Sequence, residues 1–349
     1  MPRFTLSPEV ADALRRRRPV LALETSVIAG GLPYPANLEL AQAVDDAARA
    51  GGAVPARVAV IDGGLHVGLT EEQVDRVAAD PDAVKASIRD IGRVAAGGGI
   101  GALTVSGAVH GARLAGVEVL AVAGVGGVHR GAASSFDVSA DLPAFAANRV
   151  AVFCAGVKSI LDAGLTLEWL ETHSIPVIGY RCEEFPGYIS TSSGQPNPHR
   201  LDDLGQIARA VLAHWDAGAE GGFLVTHPIA DQHEVPREQL EVRIAEAEQA
   251  ARQAGVTGPA ITPFLLKELA RTSAGQTSAA NREVLLSTTR LGAEFAVRLH
   301  EARLAGLEPE DHVADGHPAD AVLSLSAAGS TGSTGLAGPG RPAEPGLRR

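Results

Sequence analysis

Lys158 is the residue of this chain whose position best suits covalent chemistry. It follows an apolar run and Gly156, and the chain has only two other lysines, Lys85 and Lys267. In an open parallel sheet, ligands bind beyond the carboxyl ends of the strands, where glycines let the backbone approach them. A lysine amine at such a place can be a covalent nucleophile if its surroundings keep it uncharged. The alternative is an ordinary exposed cation.

Lys85 is a second candidate because it lies just before Ser87 and Asp90, which have the spacing of a helix start. A cation near a helix start is mildly unfavourable, which indicates another purpose. If Lys85 and Lys158 face one ligand, each disfavours the charged form of the other. One could then act as an amine while the other holds a phosphate. An ordinary surface lysine remains the alternative.

Glu24 interrupts an otherwise apolar run, LALETSVIAGG. An ionised side chain is costly there unless it is paired or lies at the active end of the strand. Burial would raise the pKa of this carboxyl toward that of a working general acid. A glutamate facing solvent from an edge strand is the alternative.

Asp137 and Asp141 are four residues apart and would share one face if the segment is helical. Two carboxylates suit a hard cation such as magnesium or manganese, with water completing the coordination. Either aspartate could instead cap the N-terminus of a helix.

The other motifs of the chain do not predict a cofactor or metal site. Gly97, Gly99 and Ala102 match GxGxxA, but they precede an apolar run, whereas a dinucleotide fingerprint follows a strand and opens a helix. Gly124 and Gly126 do follow such a run, yet His129 occupies the third glycine position. We therefore expect no Rossmann cofactor site. Five histidines lack a shared metal-ligand spacing, and we expect structural roles for His66, His173, His214, His227 and His233.

Short apolar runs alternate with amphipathic stretches along the chain, a pattern typical of βα units. The runs cover residues 19–28, 57–61, 101–105, 117–125, 149–154, 176–180 and 222–225. This pattern predicts an α/β fold with a largely parallel sheet and helices on both faces. A further run at 65–69 follows turn residues and is predicted to be a short antiparallel strand.

Three helices have readable signals. Thr70 and Gln73 have the spacing of a capping box. Leu204, Ile207, Val211 and Trp215 share one helical face and are predicted to pack in the core. The same periodicity predicts a long helix over 278–304.

Composition limits the class of protein. A net charge of −11 and an aromatic content of 4% argue against polynucleotide binding.

Cys154 and Cys182 form no ligand motif, and we expect two reduced thiols and a cytoplasmic protein. The arginines at 15–18 are interpreted as a solvated helix end and not as part of a signal peptide. We expect one catalytic domain over 1–306 and disorder over 307–349, where Gly, Ser and Pro dominate.

Taken in order, seven segments resemble the pseudouridine-5'-phosphate glycosidase family. They are ALETSVIAGGLPYP, KASIRD, GALTVSG, GVGGVHRGAASSFDVSADL, CAGVKSILD, VIGY and THPI. The resemblance extends from about residue 6 to residue 304 and implies a three-layer α/β/α sandwich around a mixed sheet. It also implies a homotrimer and a divalent metal, usually Mn²⁺.

The resemblance implies a role for each matching position. Lys158 would form an imine with C1 of the sugar, and Glu24 would donate a proton. Asp137 would bind the metal. The implied substrate contacts are Lys85, Val105, Ser139, Ala140 and Asp141.

The chain departs from the family pattern at positions expected to lie around the substrate. Gly30 replaces a common histidine, Ala108 a common threonine, and Ser287 with Thr288 a common asparagine pair. The leading hypothesis is reversible cleavage of pseudouridine 5'-phosphate to uracil and ribose 5-phosphate. One alternative is a C-glycosynthase that joins ribose 5-phosphate to an aromatic or heterocyclic aglycone. A second is a non-catalytic phosphosugar-binding protein.

Overall fold

A mixed sheet of 11 strands contains the apolar runs of the sequence. The structure is a computed structural model that describes residues 3–306, and the tail expected to be disordered lies outside these residues. The described residues belong to one compact unit, Met1–Leu307. None of the helices within 3–306 combines the length and the apolarity that crossing a bilayer requires.

The strands are mostly three or four residues long. They are β1 (Arg3–Leu6), β2 (Val20–Leu23), β3 (Val54–Ile61), β4 (Gly64–Val67), β5 (Val84–Ala86), β6 (Gly101–Leu103), β7 (Val119–Ala121), β8 (Val128–His129), β9 (Ala151–Cys154), β10 (Leu161–Asp162), β11 (Val177–Tyr180), β12 (Glu184–Phe185), β13 (Gln195–Pro196), β14 (His199–Leu201) and β15 (Phe223–Thr226).

The helices lie between these strands and dominate the last third of the described chain. They are α1 (Pro8–Arg15), α2 (Ser26–Gly30), α3 (Ala36–Ala50), α4 (Glu71–Ala79), α5 (Ile91–Gly97), α6 (Val105–Ala115), α7 (Ala132–Ser135), α8 (Asp141–Ala146), α9 (Ala163–Thr172), α10 (Leu204–Asp216), α11 (Arg237–Gln253), α12 (Ile261–Thr272) and α13 (Gln276–Ala305).

The strand order is β1-β4-β3-β2-β7-β9-β15-β11-β14, and β6 joins β5 to β3. The run from β3 to β14 is parallel, whereas β4 and β6 pair antiparallel with β3. Helix α13 packs on β2, β7 and β9, while α6 packs on β2, β3 and β7. Helices therefore cover both faces, and the predicted α/β class with a mixed, mostly parallel sheet is confirmed.

The core consists of the strand side chains and the helix faces that cover them. Phe153 of β9 and Phe295 of α13 are fully buried, with ring centroids 4.6 Å apart. Leu21 and Leu120 are also fully buried in the neighbouring strands. Each such side chain contributes about 1.5–3 kcal/mol through its removal from water. Packing of this kind fixes the strand ends that carry the polar residues.

The predicted strand over 19–28 is shorter in the structure. Strand β2 ends at Leu23, and α2 begins at Ser26. Thr25 causes the change because its hydroxyl donates to the Val58 carbonyl at 2.7 Å and accepts from the Leu103 N–H at 2.8 Å. These bonds join three adjacent strands through a side chain, so the backbone is free to turn after Glu24.

The helix predictions agree with the structure. The capping box of Thr70 and Gln73 is present at α4, and α10 buries the predicted apolar face. The long helix runs from Gln276 to Ala305. Strand β4 is antiparallel to β3, as the run at 65–69 predicted. The four arginines are exposed at the end of α1, where Asp12 pairs with three of them.

Candidate active site

The candidate site lies where β2, β7 and β9 end side by side. Glu24 follows β2, Gly124 lies three residues beyond β7, and Lys158 lies four residues beyond β9. The N–H of Lys158 donates to the Val125 carbonyl at 3.0 Å, so the two later segments continue in parallel past the sheet. This is the carboxyl edge of a parallel sheet, where ligands bind in such folds.

Glu24 is buried, with 8% of its surface exposed, directly after the central strand β2. The alternative of an edge-facing glutamate is therefore wrong. The Ser26 hydroxyl donates to its carboxylate at 2.5 Å. Burial raises the pKa of Glu24 even though Lys158, Ser26 and Lys85 all favour the charged form. A carboxyl whose protonated form is favoured in this way is suited to give a proton to a substrate.

Lys85 lies in β5 and comes within electrostatic reach of Lys158, Glu24 and Asp141. Its side chain contacts solvent as well as protein, as expected of a cleft wall. Crowding by protein atoms and the charge of Lys158 lower the pKa of Lys85, whereas the two carboxylates oppose this change. Two lysines and two acidic residues from distant parts of the chain thus share one site.

The segment that carries Lys158 is fixed from both sides. Gly156 has a φ of 84°, and a Cβ there would collide with the Pro186 carbonyl. The Ser159 hydroxyl donates to the Gly187 carbonyl at 2.6 Å. Arg130 donates to the Ser159 carbonyl at 3.1 Å. These contacts fix the backbone on both sides of Lys158.

Asp141 begins α8, whereas Asp137 lies in an extended segment before it. The two do not share a helical face, so that basis for a paired metal site is wrong. The Asp141 carboxylate is 5% exposed and accepts from the N–H groups of Ser106 and Gly126, both at 2.8 Å. Asp141 therefore caps a helix, as the alternative held, but the helix is α6.

Ser139 and Ala140 lead into Asp141 and pack close to Gly126. The Ser139 hydroxyl accepts from the Asp141 N–H at 3.2 Å, and a Cβ on Gly126 would collide with that hydroxyl. Val105 opens α6 beside this segment, and its side chain is 1% exposed. A ligand at Val105 would therefore contact the backbone and not the side chain.

Asp137 lies beside His129, with Asp137 Oδ2 at 3.8 Å from His129 Nδ1. Burial lowers the pKa of His129, Asp137 opposes this effect and Lys158 adds to it. Within 3–306, no group of three or more His, Cys, Asp or Glu side chains could hold a metal ion. These donors suit only an ion that keeps most of its water, as Mg²⁺ and Mn²⁺ can do on one carboxylate.

The departures from the family pattern differ in how far they are buried. Thr288 is fully buried, bonds His227 Nε2 at 2.9 Å and donates to the Val284 carbonyl at 2.7 Å. Ala108 is fully buried within α6. Both side chains are buried, and their place around the substrate stays a prediction. Gly30 is exposed, with no atom within 4 Å of a Cβ placed on it.

Tyr188 is a site residue that the sequence did not indicate. It is 8% exposed, and its ring packs against Gly124. Its hydroxyl donates to Asn281 Oδ1 on α13. Burial, together with the nearby charge of Glu24, raises the pKa of the phenol. The two hydrogen-bonded residues are 93 positions apart, so no local pattern could reveal the contact.

The thiols agree with the sequence interpretation. Cys154 is buried, Cys182 is half-buried, and both are free. Burial raises the pKa of Cys154 to about 12 and that of Cys182 to about 11. Neither is a thiolate near neutral pH, so neither competes with Lys158 as the nucleophile.

The chain is similar to known proteins over most of its length. Residues 9–298 match the family described as indigoidine synthase A like protein. The chain is 45% identical to the pseudouridine-5'-phosphate glycosidase of Dickeya dadantii over 83% of this chain and 92% of that protein. It is 44% identical to the glycosidase of Caldanaerobacter subterraneus, over 85% and 96%.

Two solved structures share the fold. A prealnumycin C-glycosynthase in complex with ribulose 5-phosphate has a TM-score of 0.81 and 41% identity, over 87% of this chain and 99% of that chain. An indigoidine synthase A-like protein of Thermotoga maritima has a TM-score of 0.77 and 31% identity, over 86% and 97%. The chain therefore belongs to the indigoidine synthase A-like family, and its relatives there include pseudouridine-5'-phosphate glycosidases.

Proposed function

We propose that the protein is a pseudouridine-5'-phosphate glycosidase, which reversibly cleaves the nucleotide to uracil and ribose 5-phosphate through an imine on Lys158. The observation that supports this most directly is the buried Glu24, whose raised pKa makes it an acid within reach of Lys158. The names of relatives at 44–45% identity over most of both chains agree with this activity.

The chemistry accounts for the pairing of an acid with an amine. A carbon–carbon glycosidic bond has no leaving oxygen to protonate, so simple acid hydrolysis does not apply. Glu24 gives its proton to the ring oxygen as the bond from that oxygen to C1 breaks, and the Lys158 amine bonds to C1. The new C–N nitrogen loses a proton to the Glu24 carboxylate, and its lone pair then expels the base carbon, which takes that proton from Glu24. Water releases ribose 5-phosphate from the resulting imine and restores the amine.

Lys85, Val105 and the segment Ser139, Ala140 and Asp141 would hold the phosphosugar. Lys85 supplies a positive charge, and the other positions offer backbone groups at the start of α6 and α8. Helix N-termini favour anions, which suits a phosphate. The ribulose 5-phosphate bound by the related C-glycosynthase is consistent with a phosphopentose ligand.

A divalent ion, with Mn²⁺ preferred, would be held by Asp137 and water. When bound, it would neutralise negative charge on the substrate beside the two lysines. His129 would remain uncharged beside it because burial lowers the pKa of the ring. We also propose a cytoplasmic homotrimer. The two free thiols are compatible with a reducing compartment, and light scattering on purified protein tests the trimer.

The test is synthesis in the reverse direction. Protein, Mn²⁺, uracil and ribose 5-phosphate should yield pseudouridine 5'-phosphate by mass spectrometry. Lys158→Ala should abolish the product, whereas Lys267→Ala, an exposed lysine on α12, should not. Borohydride should trap a pentose phosphate on Lys158. Absence of both product and adduct would indicate a non-catalytic phosphosugar-binding protein.

The C-glycosynthase is a second candidate because a structure with 41% identity and a TM-score of 0.81 has that name. The same Lys158 adduct would then be captured by an aromatic or heterocyclic carbon acceptor in place of uracil. A panel of acceptors with ribose 5-phosphate separates the two activities. Turnover of bulkier aromatic acceptors without turnover of uracil would support the synthase.

A further inference from the structure

Tyr188 lies in a backbone conformation that bulky side chains rarely adopt, with a φ of 70°. Its N–H donates to the Ala155 carbonyl at 2.8 Å, and the preceding Gly187 is bonded to Ser190 at 3.1 Å. These bonds hold the left-handed turn in place. Unfavourable backbone geometry that persists in this way is concentrated at functional sites.

The turn directs the Tyr188 ring onto Gly124. A Cβ on Gly124 would overlap Cδ2 of the ring, so only glycine allows this approach. Gly124 follows β7, which is the direct neighbour of β2, and Glu24 is the first residue after β2. The Tyr188 phenol is also close enough to Glu24 for the carboxylate charge to act on it, so the ring lies near the acid.

The far end of the ring is also fixed. The Tyr188 hydroxyl donates to Asn281 Oδ1 on α13, the helix that packs on β2, β7 and β9. Both ends of the side chain are thus attached to elements that do not carry Glu24.

We propose that Tyr188 is a positioning residue for the acid: its ring is the wall that keeps water from the Glu24 carboxyl, and its hydroxyl fixes that wall to α13. This extends the proposed function, because it explains how Glu24 stays protonated for the reaction. The charged and titratable groups that also face Glu24 are Lys158, Lys85, Asp141 and the Arg57 guanidinium, which donates to its main-chain oxygen. The ring acts by excluding solvent and adds no charge to this set.

Infrared spectroscopy tests the proposal without requiring turnover. The carbonyl band of protonated Glu24, identified by its loss in Glu24→Gln, is titrated with pH in each variant. Tyr188→Leu removes the ring and should increase the acid dissociation constant of Glu24 by about tenfold or more, which is one pKa unit. Tyr188→Phe keeps the ring and should change the constant much less. Phe4→Leu on β1 is the matched aromatic control and should change nothing.

Gly124→Ala provides a second route, because its methyl group pushes the ring from its place and should shift the titration in the same direction. If Tyr188→Leu fails to fold, the Gly124→Ala titration tests the proposal in its place. In an active enzyme, the basic limb of the pH–rate profile should move to lower pH by the same amount. A folded Tyr188→Leu or Gly124→Ala protein with the wild-type titration would overturn the proposal. A shifted titration in a protein without glycosidase activity would support the wall and refute only the proposed function.

Discussion

The substitution Asp141→Asn tests whether the Asp141 carboxylate stabilises the fold or contacts the substrate. In the structure, each carboxylate oxygen of Asp141 accepts one backbone N–H, from Ser106 at the start of α6 and from Gly126 in the loop after β7. Asparagine has the same shape but only one acceptor oxygen. Its NH₂ group would therefore face one of these two N–H groups, donor against donor.

The loss of one of these two hydrogen bonds sets the expected loss of stability. A hydrogen bond to a charged group contributes about 1.5–3 kcal/mol, and a buried donor left unpaired costs a similar amount. Since the site is 5% exposed, water cannot replace the lost acceptor. Asp141→Asn should lower the free energy of unfolding by about 2–3 kcal/mol and Tm by roughly 3–5 °C. Asp141→Ala, which removes both acceptors, should cost about twice as much.

Thermal and urea unfolding at one fixed protein concentration measure the effect. Asp137→Asn is the matched control, because the same change is made four residues away at a more exposed side chain. It should change the free energy of unfolding by no more than about 0.5 kcal/mol. If Asp141→Asn raised KM for the phosphosugar with the same Tm as the wild type, the carboxylate would be a substrate contact and the structural account would be refuted.

Three further predictions concern stability. Burial raises the pKa of folded Glu24, so its contribution is intact below the ordinary pKa and lost as pH rises through the folded value. The Tm of Glu24→Gln relative to wild type should therefore increase from pH 4 to pH 8, and a constant difference would contradict this. Thr70→Ala removes a capping box and should cost about 1 kcal/mol in urea. Thr288→Val leaves buried His227 without its partner and should cost about 1–3 kcal/mol, whereas an unchanged Tm would refute this.

The central strands could be predicted from the sequence because parallel strands buried on both faces are continuous apolar runs. The residues at which these strands end could not be predicted in this way. The run at 117–125 contains only three strand residues, Val119–Ala121, although Val122 and Val125 beyond them are also buried. Apolar character therefore shows what is buried, and hydrogen-bond partners decide where a strand stops.

The charged residues of the site were predictable for a related reason. Glu24 and Lys158 interrupt apolar surroundings, where a charge needs a specific purpose. The pairing of Asp137 with Asp141 was not predictable. The segment between them bonds back to the loop after β7, with Ser139 N–H to the Gly127 carbonyl at 3.0 Å, and is extended. A spacing of four residues has helical meaning only inside a helix, and tertiary pairing prevents the helix here.

The two buried carboxyl groups of the site show how environment assigns different tasks to similar side chains. The Asp141 carboxylate accepts two backbone N–H groups and holds α6 and the Gly126 loop in place. Glu24 meets one hydroxyl and is otherwise enclosed, so burial outweighs two nearby lysines and favours its protonated form. If the hydrogen-bond donors were exchanged, Glu24 would favour its charged form, and the Gly126 loop would lose the carboxylate that holds it. The site needs one carboxylate that stays an acceptor and one carboxyl that can give up a proton.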